Sequence, residues 1–256
     1  MPHTGNMSYS SDVTPIPIAA LSNPDADQLE RMAQRGQRIS IKLTLTPSYT
    51  GVVESGNVVA ELPGSDLADE LVIIGGHLDS WDLGTGAIDD GAGVAITMEV
   101  LRRIKEAGLK PRRTIRLVLW GSEEVGLLGG YAYADKHKDT LRNHVIGTES
   151  DFGAGRIWKI TRNINEQAKP VADKIAELVE PLGIAPGSNS ARSSGPDLSP
   201  MNAHRASLGS ALFKMGATIS ICITRQMIRS TKSTLRQWIK TLRPISFSSG
   251  WQPTVM

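Results

Sequence analysis

One histidine and five acidic residues follow three apolar segments of the chain, ELVIIGG, TIRLVLW and HVIGTES. In chain order they are His77, Asp79, Asp89, Glu123, Glu124 and Asp151. Imidazole and carboxylate groups are the ligands of hydrolytic zinc sites, which keep one position open for water. A carboxylate can also bridge two zinc ions, and such a pair holds the attacking and the leaving oxygen. The residue types therefore indicate a hydrolytic metal site, provided that the fold brings them together.

Each of the six residues has a predicted place in that chemistry. The metal ligands would be one imidazole and three carboxylates, from His77, Asp89, Glu124 and Asp151. Glu123 is a further carboxylate beside a ligand, where it can take a proton from water as a general base. Asp79 is two residues after His77 and is expected to hold the second ring nitrogen of that histidine.

The apolar segments predict strands, and the stretches between them predict helices. Apolar residues recur at helical spacing over 91–108, and 127–137 also predicts a helix. Alternating strands and helices favour an α/β fold, with a layered, mostly parallel central sheet and flanking helices. In such sheets, sites form beyond the carboxyl ends of the strands, where the six residues fall.

Four further segments have predicted structures. A helix is expected over 23–36 with Asn23 as its cap, and strands over 39–46 and 57–62. A helix is also expected over 163–182, bent or divided at Pro170.

Taken singly, these residues also admit plainer interpretations. The stretch 75–94, GGHLDSWDLGTGAIDDGAGV, has the glycines and aspartates of a turn, and Asp151 could cap a helix. Asp82 and Asp90 are predicted to make only local hydrogen bonds. The occurrence of such residues after three successive strands favours the metal site over these separate explanations.

Three motifs resemble one known family. GGHLDSWDLGTGAIDDGAGV, RRTIRLVLWGSEEVGLLGG and GTESDFGAG are similar to those of the di-zinc exopeptidases of the aminopeptidase and glutamate carboxypeptidase group, closest to the carboxypeptidase Q branch. The resemblance implies that His77 and Asp151 bind one zinc ion, Glu124 the other, Asp89 both, and that Glu123 is the base. It implies removal of terminal residues from short peptides, and a secreted or periplasmic full-length form, although no signal peptide is seen here.

The carboxyl-terminal segment departs from the family pattern. The family completes its second metal site with a histidine, but His204 is the only histidine after SGPDLSPM and its neighbours do not match. Residues 203–256 contain eight of the 28 Lys and Arg and none of the 26 Asp and Glu. With permitted codons, a displaced reading frame of 217–236 can encode the missing histidine motif. We therefore hypothesise that a frameshift near Ala203 replaced the family's carboxyl terminus, which would impair the second zinc site.

These observations predict three regions and leave two rival functions. Residues 1–46 are expected to be the trailing part of a protease-associated-like inserted domain, 47–202 a partial catalytic domain, and 203–256 a frameshifted tail. The fold would thus be incomplete at both ends. One rival is an inactive remnant or binding-only protein on the same scaffold. The other is a nucleic-acid binder using the basic tail, but its cations are scattered among Ile, Thr and Ser. We expect a peptide substrate, no nucleic acid and no membrane span, because no run of 18 apolar residues occurs.

Overall fold

Four parallel strands form the centre of an eight-stranded sheet in the computed structural model of the chain. They are β2 (Leu67–His77), β3 (Arg113–Trp120), β4 (His144–Glu149) and β7 (Ala217–Cys222), in the spatial order β7-β4-β2-β3. The structure describes residues 9–14, 16, 18–46, 50–82, 84–151, 153–189, 195–207, 217–222 and 254–255. The parallel centre confirms the fold class predicted from the sequence.

The remaining four strands extend this sheet on both sides. They are β1 (Val58–Leu62), β5 (Lys159–Ile164), β6 (Ala185–Asn189) and β8 (Thr254–Val255). On one side, β1 pairs antiparallel with β3, and β8 pairs antiparallel with β1. On the other side, β5 pairs antiparallel with β7 and parallel with β6. Segment 203–256, predicted to be a frameshifted tail, thus supplies β7 inside the sheet and β8 at its edge.

Helices lie on both faces of the central strands. The helices are α1 (Asn23–Gln34), α2 (Gly91–Glu106), α3 (Leu128–Lys136), α4 (Lys169–Val179) and α5 (Ser199–Ser207), of which α2 packs on one face, and α3 and α5 on the other. Alternate residues of a strand point to opposite faces, and the core is divided accordingly. Ile74 of β2 packs in a cluster with Leu101 of α2, whereas Ile73 belongs to a second cluster with Tyr133 of α3 and Met201 of α5. Burial of each such side chain contributes about 1.5–3 kcal/mol, so the two helical layers fix where the strand ends lie.

Chain contacts divide the molecule into two compact units. One comprises Met1–Glu54 with Trp81–Leu83, and the other comprises Ser55–Ser80 with Gly84–Met256. In the first unit, α1 (Asn23–Gln34) confirms the predicted helix, but its cap is Ser22 rather than Asn23, and none of its residues is buried. The assignment of 1–46 to an inserted domain, of 47–202 to a catalytic domain and of 203–256 to a tail stays a prediction.

One prediction of secondary structure is wrong, and a second is wrong in part. Residues 39–46 form no strand, and Ile41, Leu43 and Leu45 in that segment are exposed. The alternating pattern needs a neighbouring strand, and none of the described residues pairs with it. The predicted helix over 163–182 begins only at Lys169, because Asn163 and Ile164 complete β5 and Pro170 stands in the first helical turn. Proline fits that position because it lacks the N–H that the first turn leaves unused.

No helix within the described residues is both long enough and apolar enough to cross a membrane.

Candidate active site

His77 is the last residue of β2, and only 1% of it is exposed. Its Nδ1 lies 2.9 Å from the main-chain oxygen of Asp79. A carbonyl oxygen only accepts hydrogen bonds, so Nδ1 carries the proton in this contact and donates it. The Nε2 atom of the neutral ring then offers a lone pair to the space beyond the strand, as a metal ligand must.

Two carboxylate oxygens lie against that nitrogen. His77 Nε2 is 3.1 Å from Asp89 Oδ1 and 3.2 Å from Asp151 Oδ1. Three lone-pair donors this close repel one another unless a proton or a cation lies among them. Neighbouring ligands on a tetrahedral zinc ion with bonds of 2.0–2.1 Å are about 3.3 Å apart. Each carboxylate oxygen therefore has the chemistry and the spacing from Nε2 that are expected of neighbouring ligands on one zinc ion.

Asp90 anchors the segment that carries Asp89. Its carboxylate accepts the main-chain N–H of His77 at 3.0 Å and that of Gly93 at 3.1 Å, which links the end of β2 to the first turn of α2. One of its oxygens also lies within 4.8 Å of ligand atoms of His77 and Asp151. Since both oxygens already accept main-chain hydrogen bonds, Asp90 serves as a local anchor, as the sequence predicted.

Glu123 and Glu124 reach the same place from the loop after β3. Each offers one carboxylate oxygen within 4.8 Å of a nitrogen of His77 and of the other. The main-chain N–H groups of Glu123 and Glu124 donate to the two carboxylate oxygens of Asp79, at 2.8 and 3.1 Å. Ser122, just before them, has a φ of 59°, a left-handed conformation that is uncommon outside glycine. The loop is thus held in an uncommon main-chain conformation, in which both glutamates lie close to His77.

Asp79 contacts His77 differently from the prediction. Its carboxylate was predicted to hold the second ring nitrogen, but the main-chain oxygen accepts the hydrogen bond from Nδ1, and the nearest carboxylate oxygen lies 3.7 Å from that nitrogen. The carboxylate instead accepts the two N–H groups of the glutamate pair. Asp79 therefore joins the β2 and β3 ends of the site.

Burial and crowding of charge change the protonation of these groups. Burial opposes the charge on His77, but the hydrogen bond and charge of Asp151 outweigh it and raise the pKa of His77 to about 10. The pKa of Glu123 rises to about 7, chiefly because of burial, with Asp151 and Glu124 adding to the effect. Burial also raises the pKa of Asp151. In the absence of a metal, bound protons reduce the repulsion among these carboxylates. A divalent cation would reduce the same repulsion.

A second acidic pair lies behind the site and was not singled out from the sequence. Glu149, at the end of β4, and Asp197 are both fully buried. Burial and the charge of Asp197 raise the pKa of Glu149 well above its ordinary range, and burial raises the pKa of Asp197 to about 7. Two such carboxyl groups cannot both be ionised, so the pair retains a proton. Asp197 carried no signal in its loop-like sequence, because its burial arises only from tertiary packing.

All six residues proposed from the sequence therefore meet at the carboxyl ends of β2, β3 and β4. Asp89 is the most open of the metal-binding candidates near His77, with 54% of its side chain exposed, against 9% for Asp151. The remaining histidine of the carboxyl-terminal segment, His204, lies in α5, and its side chain is outside the described residues. Their separate roles as ligands, base and support remain proposals.

Known proteins are similar to this chain over most of its length. Carboxypeptidase Q from Homo sapiens is 40% identical over 183 residues, which cover 72% of this chain and 39% of that protein. Carboxypeptidase Q from Xenopus laevis is 41% identical over the same shares of the two chains. The chain spans about two fifths of the length of the curated relatives it matches.

A solved structure and a family model also match this chain. The crystal structure of a peptidase M28 precursor from Shewanella amazonensis SB2B is 47% identical, with a TM-score of 0.75, and the match covers 86% of this chain and 47% of that one. The model of peptidase family M28 matches residues 57–217, more than half of the chain and the part that contains all six site residues. On these grounds the chain belongs to peptidase family M28.

Proposed function

We propose that this chain carries the catalytic machinery of a zinc-dependent exopeptidase that hydrolyses terminal residues of short peptides. The observation that carries the proposal is the approach of Asp89 and Asp151 to within 3.2 Å of His77 Nε2. His77 and Asp151 would hold one zinc ion, Glu124 a second, and Asp89 would bridge them. When bound, zinc supplies Lewis-acid chemistry that polarises a peptide carbonyl and lowers the pKa of water.

Glu123 is proposed as the general base. Its carboxyl group has a pKa of about 7, close to the operating pH, where a group can both take up and give away a proton. It would remove a proton from the attacking water and deliver it to the amine that leaves when the peptide bond breaks. The Asp79 carboxylate supports this role, because it holds the N–H of Glu123 and fixes the direction of the loop.

Hydrolysis of unblocked dipeptides tests the proposal. A dipeptide presents both a free amino and a free carboxyl terminus, so it reports exopeptidase activity whichever terminus is recognised. We expect zinc-dependent release of amino acids, and a loss of about 10²–10⁴-fold in kcat for Glu123→Gln. Glu177→Gln is the control, because its side chain is 64% exposed and pairs with Lys174 on α4. Lack of zinc-dependent turnover, or a Glu123→Gln variant as active as the control, would contradict the proposal.

The second zinc ion is proposed to bind weakly in this chain. Glu124 and the bridging Asp89 are the protein ligands proposed for it here, and losing even an outer partner of a ligand costs about 10–100-fold in metal affinity. Equilibrium dialysis should then give one tight and one weak equivalent of zinc. Two tight equivalents would contradict the impairment. No uptake and no turnover would favour the inactive remnant.

The frameshift remains a proposal about the gene. Its support is the absence of acidic residues over 203–256 together with the histidine motif that permitted codons can encode in the displaced frame. Sequencing the gene across the codons for 203–236 tests it. If the displaced frame lacks codons for a histidine pair followed by two aspartates, the hypothesis is refuted.

A further inference from the structure

The loop that carries the two glutamates, taken here as residues 121–129 and so including the first two residues of α3, is closed at its base by main-chain hydrogen bonds. The N–H of Gly129 donates to the oxygen of Gly121 at 2.9 Å, and the N–H of Leu128 donates to the oxygen of Ser122 at 3.0 Å. The N–H of Gly121 therefore needs a partner from outside the loop, since Gly121 is buried, and the oxygen of Gly129, in the first turn of α3, can accept a further hydrogen bond through its second lone pair.

The side chain of Asn57 satisfies both groups. Gly121 N–H donates to Asn57 Oδ1 at 2.9 Å, and Asn57 Nδ2 donates to the oxygen of Gly129 at 2.9 Å. Asn57 stands just before β1, more than 60 residues from either partner in the sequence. It is 7% exposed. A buried side-chain amide therefore acts like an additional peptide group that joins the first and last residues of the loop.

This contact leaves little room for movement. A Cβ atom on Gly129 would lie 2.3 Å from Asn57 Oδ1, and one on Gly121 would lie 2.6 Å from the oxygen of Gly56. Backbone and side-chain amide are therefore packed in direct contact, and Asn57 cannot shift without opening the base of the loop. Asp79 holds the tip of the same loop through the N–H groups of Glu123 and Glu124.

We propose that Asn57 is a positioning residue, which sets where Glu123 and Glu124 stand by tying together both ends of the loop 121–129. The inference rests on the proposed function only in that those glutamates serve as base and metal ligand. Asn57 contacts neither of them and acts through the main chain. A misplacement of about 1 Å at reacting groups can reduce turnover about 100-fold, so a support outside the site can matter as much as a group inside it.

Two variants separate this role from general stabilisation. Asn57→Asp keeps an acceptor for the N–H of Gly121 but turns a second carboxylate oxygen towards the oxygen of Gly129. Asn57→Ala removes both bonds. Asn189→Asp is the matched control, because Asn189 makes the same pair of bonds with the N–H and C=O of Ile164, at 3.0 and 3.1 Å, in an exposed contact between the ends of β5 and β6.

Two measurements on the full chain test whether Asn57 positions the loop. Neither requires turnover, and zinc is the only ligand added. Hydrogen exchange followed by mass spectrometry should show amides of 121–129 exchanging about 10-fold faster or more in both Asn57 variants, while 71–76 in β2 stays protected. Zinc titration should show affinity about 10–100-fold lower for the ion that needs Glu124. Asn189→Asp should change neither quantity. If Asn57→Ala does not fold, Asn57→Asp alone decides.

Several results would overturn the proposal. These are unchanged loop exchange and zinc affinity in Asn57→Asp, exchange that accelerates equally in 71–76, or the same changes in Asn189→Asp. The proposed function can fail separately. If the zinc-loaded wild-type chain hydrolyses no dipeptide, the peptidase proposal is refuted. If replacement of Asn57 in that case still reduces loop protection and zinc affinity, the positioning role is confirmed. Where turnover is measurable, kcat should fall with KM changed by less than about 3-fold, as expected for displaced catalytic groups.

Discussion

Replacement of Asp79 by asparagine tests how one carboxylate holds the loop with the glutamate pair. Asp79 accepts the N–H of Glu123 at 2.8 Å and that of Glu124 at 3.1 Å. Hydrogen bonds to a charged group contribute about 1.5–3 kcal/mol each, and neutral ones about 0.5–1.5 kcal/mol. Asparagine has one acceptor oxygen, so it can keep one neutral bond and presents its NH₂ group to the other N–H.

The expected loss follows from these contributions. The exchange of two charge-assisted hydrogen bonds for one neutral bond would lower the free energy of unfolding by about 2.5–4.5 kcal/mol if the site excluded water. The Asp79 side chain is 28% exposed, and competition from water should reduce the cost to about 1–3 kcal/mol. For a chain of this size, 1 kcal/mol corresponds to about 2–4 °C in Tm, so Asp79→Asn should melt roughly 2–12 °C lower. Zinc affinity at Glu124 should fall by about 10–100-fold.

Differential scanning calorimetry and zinc titration measure the two effects. Asp66→Asn is the control, since Asp66 also accepts two N–H groups, from Arg112, but its side chain is 55% exposed and the pair lies outside the site. Exposed pairs contribute at most about 1 kcal/mol. The reasoning is refuted if Asp79→Asn and Asp66→Asn have the same Tm and bind zinc with the same affinity.

Three other predictions follow from the described contacts. In the metal-free protein the pKa of His77 is raised to about 10, so its charge stabilises the fold fully below pH 6.5 and this contribution disappears as the pH rises to about 10. Zinc must displace that proton, and calorimetry at pH 7 in buffers of different ionisation enthalpy should detect the release of about one proton or more per ion. Gly93→Ala should cost more than about 3 kcal/mol in urea unfolding, because the added Cβ would lie 1.7 Å from the oxygen of Ser150; a cost below about 1 kcal/mol contradicts this packing. Tyr133→Phe should lower the free energy of unfolding by about 1–3 kcal/mol, because the buried hydroxyl accepts a guanidinium N–H and donates to an imidazole; an unchanged Tm would contradict that network.

The sequence predicted the helices and strands that have a strong local pattern of apolar residues. Strands β2 and β3 end in apolar runs that are largely buried on both faces, β4 is a shorter and only partly buried strand, and α2 has helical spacing, so their positions follow from local pattern alone. Because parallel strands align their carboxyl ends, the position of His77, Glu124 and Asp151 after those strands was enough to predict that they meet. The register confirms the alignment, with His77 opposite Trp120 and Gly75 opposite Glu149.

The sequence did not predict features that depend on distant partners. Residues 39–46 alternate like a strand, but a strand requires a neighbour, which no local pattern supplies. Asn57 reads as an ordinary residue before β1, and only the fold brings it against Gly121 and Gly129. The sequence correctly predicted that Asp79 lies near His77. Its carboxylate hydrogen bonds were not predicted, because they depend on the position of the loop after β3. Supporting groups are therefore harder to identify than the reactive groups they hold.

The place of β7 in the sheet has a consequence for solubility. β4 pairs with β2 on one side and with β7 on the other, and β5 and β6 are attached to the rest of the sheet through β7. Without that strand, β4 would expose a row of main-chain donors and acceptors, and an open strand of this kind invites pairing with other polypeptides. Truncation before β7 should therefore increase aggregation, whether or not the removed segment ever supplied a metal ligand.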